Sequence, residues 1–214
     1  MMTTQPSAPV ANASAVLQCA DADGALLDLA EALIVGRQNV SPKRLVEPGP
    51  SEQQLDRLLT MAAAAPDHGQ LVPWRFVIVP AQKRELLAGV FVLALIDRDP
   101  GATLLQIEAA REKAYRSPLL MLAIARLDMA EPGIPNVERL VSLGAAIQNL
   151  LLAAHAMGFG SGLTSGQAMD SPRMRGLFGL ADGEAPVCFV NIGTTVRHKP
   201  PRVRPAADTF CSTL

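Results

Sequence analysis

An α+β sandwich around a small sheet is the fold this sequence predicts, and three observations carry it. The runs Trp74 to Val79, Leu119 to Ala125 and Val187 to Ile192 have the length and the apolar or alternating pattern of strands. Stretches with helical spacing precede, separate and follow them, which leaves α+β or α/β as the layered solutions. The longest apolar segment, starting at Asn136, empties into the glycine-rich Gly158-Phe-Gly160-Ser-Gly162-Leu-Thr-Ser-Gly166.

The totals bound the function. A chain of 214 residues with 49% hydrophobic composition suits one globular domain with a substantial core. The net charge is -1 and no long basic block occurs, so the electrostatic footprint of a nucleic-acid binder is missing and a small-molecule partner is expected. Cys19, Cys188 and Cys211 are widely spaced without a C-x-x-C pair, which supports neither a disulfide framework nor a zinc site and reads as a reducing compartment. The first 36 residues hold none of the Lys or Arg that a secretory signal or transit peptide needs, so a cytoplasmic location is expected. Residues 1–14, rich in Ala, Ser, Thr and Pro, read as a disordered lead-in, residues 15–196 as the folded domain and residues 197–214 as an extended arm.

Taken in order, Leu26, Leu27, Ala30, Leu33 and Ile34 give an amphipathic first helix ending at Gly36. Arg37-Gln38-Asn39 follows it, and an arginine there serves the helix carbonyls or the surface as readily as a ligand. A proline-rich connector leads to Ser51 and Gln54, the capping box of a helix whose Leu55, Leu58, Leu59 and Ala62 face the core. Pro66 stops that helix. The loop Ala65-Pro-Asp-His-Gly-Gln-Leu-Val-Pro-Trp74 carries His68, a ligand contact or a surface residue, into the first strand. Lys83 to Leu95 and Thr103 to Tyr115 are helical, joined at Asp99-Pro-Gly101. Leu119 to Ala125, wholly apolar, suits a central strand covered on both faces.

In the long helix Asn136 is the expected N-cap, with Glu138 in the first turn. Leu140, Gly144, Ile147, Leu151 and Ala154 recur at helical spacing, and Val141, Leu150 and Leu152 make the other faces apolar, so burial nearly all round is expected, in a core or between subunits. Ser142, Gln148, Asn149 and His155 interrupt the run too early for a membrane span. The glycines after it let a backbone approach closely, but a dinucleotide fingerprint must follow a strand, and this stretch follows a helix. In the arm, Arg197, His198, Lys199, Arg202 and Arg204 alternate with prolines; the segment is a solvated tail or drapes over a partner subunit, where Arg202 and Arg204 reach an anion.

The common hydrolytic and metal motifs are absent. Gly162-Leu-Thr-Ser-Gly166 has Thr164 where a nucleophile elbow needs serine, and no H-E-x-x-H, His/Cys cluster or P-loop occurs. A cofactor that brings its own reactivity remains, needing ring donors, a close backbone and an arginine for phosphate.

Together the Arg37 segment, the Ala65–His68 loop with Pro73-Trp74, the long helix and the Gly158–Gly166 turn resemble the bacterial nitroreductase family, particularly its small members with an A-P-D-H loop, over Leu26 to Gly193. The resemblance implies an α+β three-layer sandwich, a small central mixed β-sheet flanked by helices, in a homodimer with one FMN at each end of the subunit interface. Arg37, Gln38 and Asn39 stand where the family has R-R-S to grip FMN, and Val72 stands where it has Gln before P-W. Pro42-Lys43 looks inserted, and Leu163 and Thr164 replace bulkier or basic residues at the turn. The implied cofactor contacts are Arg37 with Arg202 or Arg204 for the phosphate, Asn39 and His68 as donors to the flavin, and Leu163, Thr164, Ser165 and Gly166 against the ring. The implied reaction is ping-pong hydride transfer from NADH or NADPH through flavin N5 to a nitroaromatic, quinone or similar small acceptor, with no catalytic side chain and no metal. A related flavoenzyme of other chemistry, such as dehalogenation or flavin cleavage, and a flavin-free dimeric scaffold or ligand sensor are the alternatives.

Overall fold

The structure, a computed structural model, describes residues 24–127, 133–197 and 202–214. The expected lead-in over residues 1–14 and residues 198–201 of the arm lie outside the described residues. The chain divides into two compact units, Met1–Arg37 and Gln38–Leu214. The described part of the first is helix α1 (Ala25–Gly36), closed by Arg37 in an extended conformation with its N–H on the Leu33 carbonyl.

The second unit is built on strands β1 (Leu45–Val46), β2 (Trp74–Ile78), β3 (Leu119–Arg126), β4 (Gly160–Thr164) and β5 (Glu184–Thr195). The order is β1-β5-β3-β2, with β4 also on β5, and every pairing between named strands is antiparallel. The expected mixed sheet is therefore corrected: among the described residues the one parallel pairing is the isolated bridge from Asn39 to Ser161. Its physical reason lies in the connectivity. β3 and β4 run the same way, joined by a helical crossover as parallel strands must be, but β5 is inserted between them and pairs antiparallel with each.

β3 explains its uninterrupted apolar sequence. Leu120, Leu122 and Ile124 pack on one face with Leu87, Met174 and Phe189, while Met121, Ala123 and Ala125 pack on the other with Leu58, Leu143 and Leu150. Helices α2 (Glu52–Ala63) and α5 (Asn136–Ala156) form one outer layer, and α3 (Arg84–Arg98), α4 (Leu104–Arg111) and α6 (Pro172–Phe178) form the other. Capping boxes at Ser51/Gln54 and Thr103/Gln106 start α2 and α4. A bulge between Ala123 and Ile124 admits Val187 as an extra residue and lets Pro186 stand inside β5.

Three expectations need correction. The N-cap of α5 is Pro135, and Asn136 is the first helical residue. Burial all round α5 fails at its start: Val137, Leu140 and Val141 are 65%, 42% and 68% exposed, and Gly144 is exposed beside them. The 3.6-residue period sets these four opposite Leu143, Ala146 and Leu150, which fill the core, so a single chain leaves the stripe uncovered. α5 is apolar and long enough to cross a membrane, yet half of its apolar stretch is buried in this fold. Finally, the glycine-rich segment after α5 is a strand. α6 is an addition, with Ser171 as N-cap, Pro172 at its first position and left-handed Gly179 at its end.

Candidate functional site

The site begins with the reason β4 is made of glycines. Residues 39–41 run alongside it: the Val40 N–H donates to the Ser161 carbonyl at 2.8 Å, and the Leu163 N–H donates to Asn39 Oδ1 at 3.2 Å. A Cβ on Gly162 would overlap the Val40 carbonyl oxygen and stand 3.1 Å from Asn39 Oδ1, and one on Gly160 would overlap the Thr195 hydroxyl. The Gly-x-Gly spacing thus serves backbone packing. Asn39 commits its side-chain oxygen to β4, which leaves both of its amide hydrogens for a ligand.

Beyond β4 the chain turns through Ser165 and an extended Gly166, and the Met169 N–H donates to the Gly166 carbonyl at 2.9 Å. Thr164, Ser165 and Gly166 form one side of a cavity of about 610 Å³. Its floor is apolar, from Phe91, Leu95, Leu120 and Phe189, with Asn191 of β5 among them. The wall of this cavity also carries Arg98 at the end of α3, Gln106 on α4, and Lys113 and Arg116 from the turn that leads into β3. Among the described residues no Asp or Glu lines this space. Arg116 lies 3.9 Å from Glu112, too far for a strong pair, so the wall keeps a positive field.

His68 and Val72 are elsewhere. His68 Nδ1 is 2.9 Å from Glu138 Oε2 at the start of α5, and the imidazole is 67% exposed. Val72 is held at φ 47, a left-handed conformation that a β-branched residue rarely adopts, with its N–H donated to Asp67 Oδ2 at 2.7 Å. Neither residue lines the cavity, nor do Leu163, Arg202 and Arg204. The two tail arginines are exposed, ahead of a short helical turn at Ala207–Thr209. Gln38 is half-buried where the second unit begins. Within one chain the structure therefore assembles Thr164, Ser165 and Gly166 and leaves the loop and the arm outside. The buried Cys188 thiol is pushed up to about 11 by desolvation, so it stays protonated and is no nucleophile at neutral pH.

The family description "Nitroreductase family" matches residues 41–194. The chain belongs to the nitroreductase family. It is 31% identical over 164 residues to the protein named "Putative NAD(P)H nitroreductase" of Haemophilus influenzae, covering 77% of this chain and 88% of that one. It is 32% identical over 162 residues to "Putative NAD(P)H nitroreductase YdjA" of Escherichia coli K12, covering 76% and 86%. Among solved structures it shares its fold with the nitroreductase-like family protein from Bacillus cereus, at TM-score 0.74 and 19% identity over 86% of this chain and 94% of that one. A mutant of the FMN and NADPH-dependent nitroreductase NfnB, from sphigopyxis sp. strain HMH, superposes at TM-score 0.67 and 16% identity over 86% and 98%.

Arg37, Gln38, Asn39, Arg202 and Arg204 fall outside the stretch that matches the family. Among the cavity residues that sequence reasoning missed are Arg98, Gln106, Lys113, Arg116 and Asn191. The signal for two of them was faint: Lys113 and Arg116 follow a helix, where cations ordinarily serve the last carbonyls.

Proposed function

We propose that this chain is an FMN-dependent oxidoreductase that uses NADH or NADPH to reduce nitroaromatics, quinones or similar small acceptors. The observation that carries the reading is the cavity, whose lining brings the Thr164–Gly166 turn together with three cations, an amide and apolar side chains. Those groups fit FMN: a flat apolar ring needs the floor, its polar edge needs donors, and its phosphate needs cations. The chemistry FMN supplies when bound is hydride uptake at N5 from the nicotinamide and delivery to the acceptor in two half-reactions that share one pocket. Lys113 and Arg116 would supply the positive field, Thr164 and Ser165 would line the ring, and the apolar floor would exclude water. Arg202 or Arg204 is a further proposed contact to the phosphate.

The reading is tested by the visible spectrum of the purified protein and identification of any heat-released chromophore. FMN should be present, and Lys113→Ala combined with Arg116→Ala should weaken its retention about tenfold or more. A colourless protein that takes up no added FMN would overturn the enzyme reading in favour of a flavin-free member of the family.

A homodimer belongs to the same proposal. It is supported by the exposed Val137, Leu140, Val141 and Gly144 stripe, and by His68 and Val72 lying outside the cavity of their own chain, where a second copy's ligand is their natural target. Val141→Glu should leave the monomer folded, because the residue is exposed in one chain, and should shift the sedimentation of the protein from dimer to monomer. An unchanged dimer would remove this stripe from the interface.

A further inference from the structure

Asn191 is the anomaly of the central sheet. It is 2% exposed in a strand whose neighbours Cys188, Phe189, Val190 and Ile192 are apolar, and asparagine is both a poor strand former and costly to bury. Every polar atom of its side chain is engaged. Nδ2 lies 3.1 Å from Thr164 Oγ1, 3.3 Å from the Gly162 carbonyl and 3.4 Å from the Phe189 carbonyl, while Oδ1 accepts at 3.0 Å from the Ser117 hydroxyl, which shares its hydrogen with the Leu119 carbonyl at 3.1 Å. Carbonyl oxygens only accept, so the amide nitrogen must face them, and this fixes the orientation of the amide. Its two hydrogens go to the nearest two of these three acceptors, Thr164 Oγ1 and the Gly162 carbonyl, so Thr164 accepts from it. The hydrogen of the Thr164 hydroxyl is then left to donate, and among the described residues no protein acceptor takes it. Both Thr164 and Asn191 line the cavity.

We propose that Asn191 is a positioning residue that makes the Thr164 hydroxyl an obligate hydrogen-bond donor to the ring bound in the cavity, and so favours the reduced form of that ring over the oxidised form. The inference rests on the FMN reading above. A hydroxyl whose oxygen already accepts from an amide is polarised towards donation, and the buried Ser117–Asn191–Thr164 chain strengthens each of its bonds in a low dielectric. Hydride uptake turns flavin N5 into an N–H, while the negative charge gained on reduction gathers at N1 and the ring oxygens. A fixed donor there stabilises the reduced form more than the oxidised one.

The test compares wild type with Thr164→Val, Thr164→Ser, Asn191→Leu and the Thr164→Val, Asn191→Leu pair. The readouts are the Kd of oxidised FMN by fluorescence titration and the midpoint potential of bound FMN by dye equilibration. Thr164→Val should lose about tenfold of the preference for reduced FMN, a potential about 30 mV more negative for a two-electron couple. Thr164→Ser, which keeps the hydroxyl, should restore the wild-type value. Asn191→Leu should shift the potential the same way and add nothing in the double variant, because the two residues act as one unit. If Asn191→Leu fails to fold, the valine and serine pair at position 164 decides alone. FMN bound at an unmoved potential in Thr164→Val, or a Kd weakened equally for both redox forms, would overturn this inference and leave the functional reading standing. A wild-type protein that takes up no FMN would overturn both.

Discussion

Alanine at position 162 is expected to strip the protein of FMN and to destabilise it by about 3 kcal/mol or more, at the upper end of overpacking costs. The added Cβ has nowhere to go. It would overlap the Val40 carbonyl oxygen, which is backbone and cannot rotate aside as a side chain would. Relief requires residues 39–41 to lift from β4, which breaks the Val40 to Ser161 bond and the Leu163 to Asn39 bond together. Gly162 itself pairs with Asn191, and its carbonyl accepts from the Asn191 amide, so the disturbance passes directly to the cavity. Denaturant unfolding of the apoprotein and flavin content after purification measure the two effects. A variant with native stability and full FMN would mean that the strip does not lie against β4 in solution.

That glycine also marks where the sequence stops being legible. The capping box at Ser51 and the strand at Leu119 were readable because their causes are local: a four-residue hydrogen-bond exchange in one case, an apolar run of strand length in the other. β4 was not readable. Glycine is a poor strand former, and the partners that make it necessary, Val40 and Thr195, are distant in sequence. Arg84 illustrates the same limit from the polar side. A cation at a helix start is ordinarily a surface residue, yet Arg84 is buried and donates to the carbonyl of nearby Val79 and to those of Ala114 and Pro118, a stretch that only the fold brings to it. In the site, Thr164, Ser165 and Gly166 were reached through a family pattern, whereas Lys113, Arg116 and Asn191 carry no pattern of their own. Their chemistry exists only because α4, the turn before β3, and β5 border one cavity. The exposed face of α5 is the converse case: apolarity predicted burial, yet Val137, Leu140 and Val141 stay exposed in this chain.

Glu184 should dominate the acid limb of stability. Its two oxygens take Nε and Nη2 of Arg75 at 2.7 Å each, Arg126 stands 3.6 Å away, and the Ala181 N–H donates to it at 3.1 Å. The pair reaches across β3 from β2 to the start of β5, so it pins three strands at once. The Arg75 bond, more than any other contact, holds the carboxyl down to about 2 from an ordinary 4.5. A carboxylate bound more strongly in the folded state stabilises it fully above pH 4.5, and that contribution drains away as the pH falls towards 2. The interval corresponds to about 3 kcal/mol, reasonable for a carboxylate that is only 12% exposed. Glu184→Gln keeps the shape but not the charge. It should be less stable than wild type by about 2–3 kcal/mol at pH 7 and should lack this share of the loss between pH 4.5 and 2, so that the two stability curves converge in acid. Urea unfolding at a series of pH values measures both. Parallel curves, with the same gap at pH 7 and at pH 2, would assign the cost of the substitution to packing and would remove the ion pair as the pin of β5.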